Sequence, residues 1–110
     1  MRMPDSGYKY EWSDQARKLL GMRDRFTRSA IKKDFEAHPE QDRVTLDAAD
    51  SLYATPVADN RYTVIWQALA DHLAVVKAVV ASQLRGESGA DLKRKLEQVV
   101  AVESKGQFTL

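Results

Sequence analysis

Apolar and charged positions alternate along Tyr8-Lys9-Tyr10-Glu11-Trp12, the period-two pattern of a strand with one buried face. At Ser13 the period changes. Ser13 supplies an N-cap, and Trp12, Ala16, Leu19 and Leu20 then recur at helical spacing up to Gly21, which can end the helix in the left-handed conformation. A second helix is predicted from Asp24 to Ala37. Its apolar positions are Phe26, Ala30, Ile31 and Phe35, with Arg25, Arg28 and Lys32 at i, i+3, i+7 on another face. Pro39 stops it, because proline cannot continue the hydrogen-bond ladder.

The acidic stretch Val44–Asp50 reads either as a Thr-capped helical turn or as an irregular connection. Beyond it, residues 51–57 and 61–67 flank a turn at Ala58-Asp59-Asn60, and Tyr62 through Trp66 are all β-branched or aromatic. A further apolar run spans Leu73–Ala81. Read as one helix, residues 62–85 would align Ile65, Leu69, Leu73, Val76, Val80 and Leu84 in a stripe. Read as a hairpin, two β-rich runs flank a polar break at Asp71-His72. The hairpin is preferred, since clustered β-branched side chains lose freedom in a helix and pack well on a pleated surface. Pro56 then requires its strand to lie at a sheet edge. Gly86 and Gly89 break the chain, and Ser88 to Asp91 has capping-box spacing ahead of Leu92, Leu96, Val99 and Val100. This short helix is marginal alone and is the expected mobile or displaced element. Residues 105–110 read as a loose tail.

These periods predict an α+β domain: a four-stranded antiparallel sheet, two N-terminal helices packed on one face, and a C-terminal helix. The length of 110 residues fits a single domain over 1–110, with a core at 8–85 and the C-terminal helix and tail at 86–110. A 44 % hydrophobic and 30 % charged composition excludes disorder. No run is long and apolar enough to span a bilayer, and the first residues do not read as a secretory signal, so a cytoplasmic protein without membrane contact is expected. Cysteine is absent, which excludes disulfides and thiolate chemistry. His38 and His72 lie in unrelated segments and the carboxylates of residues 34–50 are dispersed, so neither metal nor cofactor is expected.

The net charge of +1 hides a segregation. Residues 17–33 carry seven basic side chains against Asp24 alone, and residues 34–60 carry seven acidic ones against Arg43 alone. Such a basic block suits nucleic acid or an acidic partner. The simpler reading pairs it with the acidic block inside the fold or leaves it as a solvated helix face. Trp12 and Trp66 offer stacking surfaces for bases, although tryptophan more often belongs to the core. No phosphate loop, metal-binding pair or nucleophile elbow occurs.

The order of elements resembles the RelE/ParE superfamily of bacterial toxin–antitoxin toxins. Tyr8 through Ala16 looks like that family's opening strand and helix start. Arg28, Ile31 and Glu36 fall where its second helix carries similar residues, His38-Pro39 looks like the helix stop, and 61–66 with 74–80 look like its central strand pair. The resemblance implies a cognate antitoxin as partner and one of two activities. One is ribosome-dependent mRNA cleavage, in which the 2′-hydroxyl attacks the adjacent phosphate and needs a proton acceptor and stabilising cations. The other is ParE-like inhibition of DNA gyrase through a binding surface. The sequence departs from the nuclease pattern at Thr63 and at Ser82-Gln83-Leu84, leaving Arg61, Lys77 and Arg85 as the implied catalytic cations, with Arg25, Arg28 and Lys32 as a supporting nucleic-acid-binding face. Residues 12–55 also resemble the small helical domain that ends the light-independent protochlorophyllide reductase B subunit, a non-enzymatic interaction module whose fold requires residues 62–85 to be one helix.

Overall fold

A computed structural model describes residues 7–81 and 89–104. The changes of period in the first forty residues coincide with changes of element. Strand β1 (Lys9–Trp12) leads into helix α1 (Asp14–Gly21), whose cap is Ser13: its Oγ accepts the Ala16 N–H at 3.0 Å. Helix α2 (Arg25–Ala37) starts on Asp24, which accepts the Thr27 N–H at 2.8 Å and the Thr27 hydroxyl at 3.0 Å. These bonds, the backbone one foremost, hold the Asp24 carboxyl below its ordinary range. Gly21 does not end α1 in the left-handed region as expected. It remains helical, and Met22 follows at φ −76, its N–H returning to the Leu19 carbonyl while the Arg23 N–H returns to that of Leu20.

Strands β2 (Val44–Asp47), β3 (Leu52–Val57), β4 (Tyr62–Leu69) and β5 (Leu73–Val80) follow, and helix α3 (Gly89–Ser104) comes last. The predicted four-stranded antiparallel sheet is instead a five-stranded mixed sheet in the order β1-β5-β4-β3-β2. Two things account for the difference. The acidic Val44–Asp47 stretch pairs with β3, its apolar Leu46 turned into the core, and β1 runs parallel to β5, Lys9 opposite Leu73 and Trp12 opposite Val76. Period-two patterning identifies a strand but not its direction or its neighbour.

The polar break at Asp71-His72 is the β4–β5 turn, with both residues left-handed at φ 62 and 58. Strands at 62–69 and 73–80 exclude the all-helical reading and with it the reductase-domain fold. Pro56 is not on an edge strand, because β3 lies between β4 and β2. It is tolerated there because pairing with β2 ends at Ala54, leaving that end of β3 uncovered on one side.

Both faces of the sheet are covered. Val64, Trp66, Ala74, Val76 and Val79 meet Ala16, Leu20, Ile31 and Phe35 of the helix pair. Leu52, Ala54, Ile65, Ala78 and Val80 meet Leu92, Leu96 and Val100 of α3. Leu92, Leu96 and Val100 are 2, 0 and 0 % exposed, so α3 closes a core of its own on the second face of the sheet. On α2 only Ile31 and Phe35 are buried; Ala30 is exposed and Phe26 is 86 % exposed, against the apolar face read from the sequence.

α3 is also tied to β2 by Lys93, whose ammonium lies 3.3 Å from Asp47. The hydrogen bond from Lys93, followed by the Asp50 N–H, holds the Asp47 carboxyl below its ordinary 3.8. A carboxyl lowered by folding stabilises the fold fully above its unfolded value, and that contribution drains as pH falls through the lower folded value. Acid titration of stability is therefore expected to show a loss below about pH 4 that Asp47→Asn reduces, with little change in the slope above pH 6. An unchanged acid limb in the variant would show that the pair does not carry this dependence.

Candidate functional site

Lys77 breaks an otherwise apolar strand, and its backbone explains how. Pairing with β4 passes from Val76↔Trp66 to Ala78↔Ile65 and skips Lys77, which is the extra residue of a β-bulge. The bulge moves the following side chains to the opposite face: Ala74 and Val76 meet the helix pair, whereas Ala78 and Val80 meet α3. The start of α1 satisfies the bulge. Ser13 Oγ and Gln15 Nε2 donate to the Lys77 carbonyl at 3.3 and 3.2 Å, and the Ser13 N–H donates to the Val76 carbonyl at 3.0 Å. Lys77 is thus explained first by sheet geometry.

Arg61 closes the β3–β4 turn, where Ala58, Asp59 and Asn60 are all left-handed, and its Nε donates to the Ala58 carbonyl at 3.1 Å. Along the strand it lies about 13 Å from Ile65, the residue beside the bulge. Arg85 lies outside the described residues. The Arg61 turn also borders a polar cleft of about 270 Å³ lined by Asp34, His38, Asp42 and Asp59, an unfavourable approach for a phosphate. No group of three or more metal-ligating side chains occurs among the described residues.

The three α2 cations divide by role. Arg28 is half-buried and donates to the Arg23 carbonyl at 2.9 Å, a structural tie across the α1–α2 turn. Arg25 is exposed. Lys32 is exposed and stands 5.6 Å from the centroid of the Trp12 ring. The basic block does not pair with the acidic block: among the described residues Arg17 pairs with Asp14 and Arg23 with Glu103, while Asp47 and Glu40 take Lys93 and Arg43. Arg25 beside the positive end of α2 and Glu36 near its negative end both oppose the helix dipole. Pairing within the fold does not account for this charge, which leaves solvent or a partner.

One groove collects both cation and aromatic. β1 contributes Tyr10, Glu11 and Trp12, α1 contributes Arg17 and Leu20, and α2 contributes Lys32, around a cleft of about 370 Å³. The Trp12 ring is held from behind: Nε1 donates to Glu36 Oε2 at 3.0 Å, and Phe35 meets the ring edge-on at 6.0 Å and 84°. Trp66, by contrast, is 0 % exposed and belongs to the core. Lys32 was legible in the sequence as part of a basic stripe. Arg17 was not singled out, because its role depends on α1 folding back beside α2.

A mixed five-stranded sheet with its edge strand parallel to the last strand, an α-helical pair on one face and a third helix on the other defines the fold class. No protein-family model matches the sequence, nor does any curated protein. Among solved structures, the fold is similar to a chain of the toxin–antitoxin complex RelBE2 from Mycobacterium tuberculosis, with a TM-score of 0.53 at 15 % identity, covering 72 % of this chain and 99 % of that one. The likeness establishes a RelE-like fold.

Proposed function

We propose that the chain is the toxin of a toxin–antitoxin pair, held inactive by a cognate antitoxin and acting on the translation machinery through its cationic helical face. The observation that carries this reading is the fold, shared with nearly the whole of a chain from a toxin–antitoxin complex. Arg61 borders an acidic cleft and Lys77 is the extra residue of a β-bulge, so this reading favours a surface that binds over a cleavage site. The antitoxin needs apolar surface to cover, and the helix pair offers Phe26 on α2 at 86 % exposure and Met22 at the end of α1 at 53 %.

Induced expression of the chain alone is expected to arrest growth, and co-expression of the small gene beside it to restore growth. Pulse labelling separates the targets: a prompt fall in protein synthesis marks the translation machinery, and a prompt fall in DNA synthesis marks gyrase and overturns the proposed target. Phe26→Asp is expected to weaken the co-purified complex at least tenfold, the scale of an interface anchor. Unimpaired growth on expression would overturn the toxin assignment.

A further inference from the structure

We infer that the chain associates with further copies of itself head to tail. The exposed start of α2 in one copy, Arg25 and Phe26 foremost, docks against the acidic cleft at the end of α2 in the next. The inference goes beyond the toxin assignment and does not depend on it, since it rests on how charge and apolar surface are distributed along one helix.

Helix α2 carries the less favourable sign of charge at each end. Arg25 is exposed in its first turn, where the amide dipoles already concentrate positive potential. Asp34 stands in its last turn, and with the exposed Asp42 and Asp59 it lines the cleft of about 270 Å³, beside His38 and Pro56. Each end would be relieved by opposite charge, and neither finds it within the chain. Arg25, Asp34, Asp42 and Asp59 make no ion pair among the described residues. Nor can one end serve the other, because the helix holds Arg25 and Asp34 about 13 Å apart along its axis.

Between copies the same charges are complementary. Residues 17–33 are rich in cations and residues 34–60 in carboxylates, so two copies attract when the start of one α2 faces the end of another. The two helix dipoles then meet positive end to negative end. A second copy is favoured over another basic protein because both halves of the contact are present, unpaired, on this one chain. Phe26 supplies what charge alone lacks. It is 86 % exposed next to Arg25, and the cleft offers Pro56 among its carboxylates. Arginine and an aromatic ring are the side chains on which interfaces commonly anchor. Arg61 follows the Asp59 turn, but its Nε is turned onto the Ala58 carbonyl at 3.1 Å and the carboxylates outnumber it. A contact between two different surfaces leaves one of each open, so it repeats instead of stopping at a dimer.

Sedimentation of the full-length chain by itself tests this, and no antitoxin or cellular target enters the measurement. At about 0.1 M salt the weight-average mass is expected to rise with concentration past that of a dimer. At about 1 M salt, where the screening length drops to roughly 3 Å, it should fall back to the monomer. Two variants each spoil one surface. Arg25→Glu blocks the start of α2, and glutamate suits the helix dipole there, so the fold is not weakened. Asp42→Asn combined with Asp59→Asn discharges the cleft, and asparagine tolerates the left-handed backbone of both positions. Each variant is expected to weaken association at least tenfold. Mixed together, they should form a one-to-one dimer that does not grow, because one partner keeps the cleft and the other keeps the start of α2. A parent chain that stays monomeric at low salt would overturn the inference, as would unaltered association in both variants or a mixture that stays monomeric. Association that appears only with added Mg²⁺ and is lost with EDTA would also overturn it, by marking the cleft as a cation site.

Discussion

Thr55→Val is expected to lower the stability of the domain by about 3 kcal/mol, although the two side chains have nearly the same shape. Thr55 is 0 % exposed in β3, and its hydroxyl serves two buried partners. It accepts the Trp66 indole N–H at 2.9 Å and donates to the Pro39 carbonyl. Valine leaves both groups without a partner, and each buried polar group so stranded costs about 1–3 kcal/mol. Urea denaturation of the single variants and of the pair with Trp66→Phe resolves the argument. In the Trp66→Phe background the indole N–H is gone, so Thr55→Val should cost at least ~1 kcal/mol less than it does alone. A Thr55→Val midpoint equal to that of the parent, or strictly additive losses, would show that the relay does not hold the core. Trp66 also meets Phe35, Tyr53 and Tyr8 at ring distances of 5.7, 5.1 and 5.4 Å, so this one bond orients the centre of the aromatic cluster.

Two glycines are expected to respond to alanine with opposite signs. At Gly89 a Cβ would collide with the carbonyl oxygen of Thr45, because the first turn of α3 lies directly on β2. Alanine favours a helix over glycine by up to ~1 kcal/mol, but overpacking against backbone, which cannot rotate away, costs about 1–3 kcal/mol. Gly89→Ala should therefore lose about 2 kcal/mol and lower the melting temperature. At Gly21 a Cβ meets nothing within 4 Å and the residue is helical, so Gly21→Ala should gain up to ~1 kcal/mol. A gain at Gly89 would mean that α3 sits further from β2 than the structure has it.

Local chemistry was legible wherever the signal lies within a few residues. Ser13 caps α1 as its position implied, Asp24 proves to be the cap of the helix whose start was read at it, and the turn at 58–60 takes the left-handed geometry that Asp and Asn tolerate. Of the site, the Lys32 stripe was visible, whereas its convergence with Trp12 and Arg17 was not. Phe26 misled for a related reason. Helical spacing places it with Ala30 one turn on, and both are exposed, whereas Ile31 and Phe35 form the buried pair.

The sequence by itself determined the strands and helices other than β2, the cap at Ser13, the polar turns and the separation of basic from acidic charge, because each depends on the torsions and polarity of adjacent residues. Only the tertiary structure decided that β1 runs parallel to β5, that Val44–Asp47 joins the sheet, that Lys77 is a bulge and that α3 seals the second face. These are pairings between segments far apart in the chain. Their energies come from which surfaces fit together, and no periodicity within one segment records the shape of another.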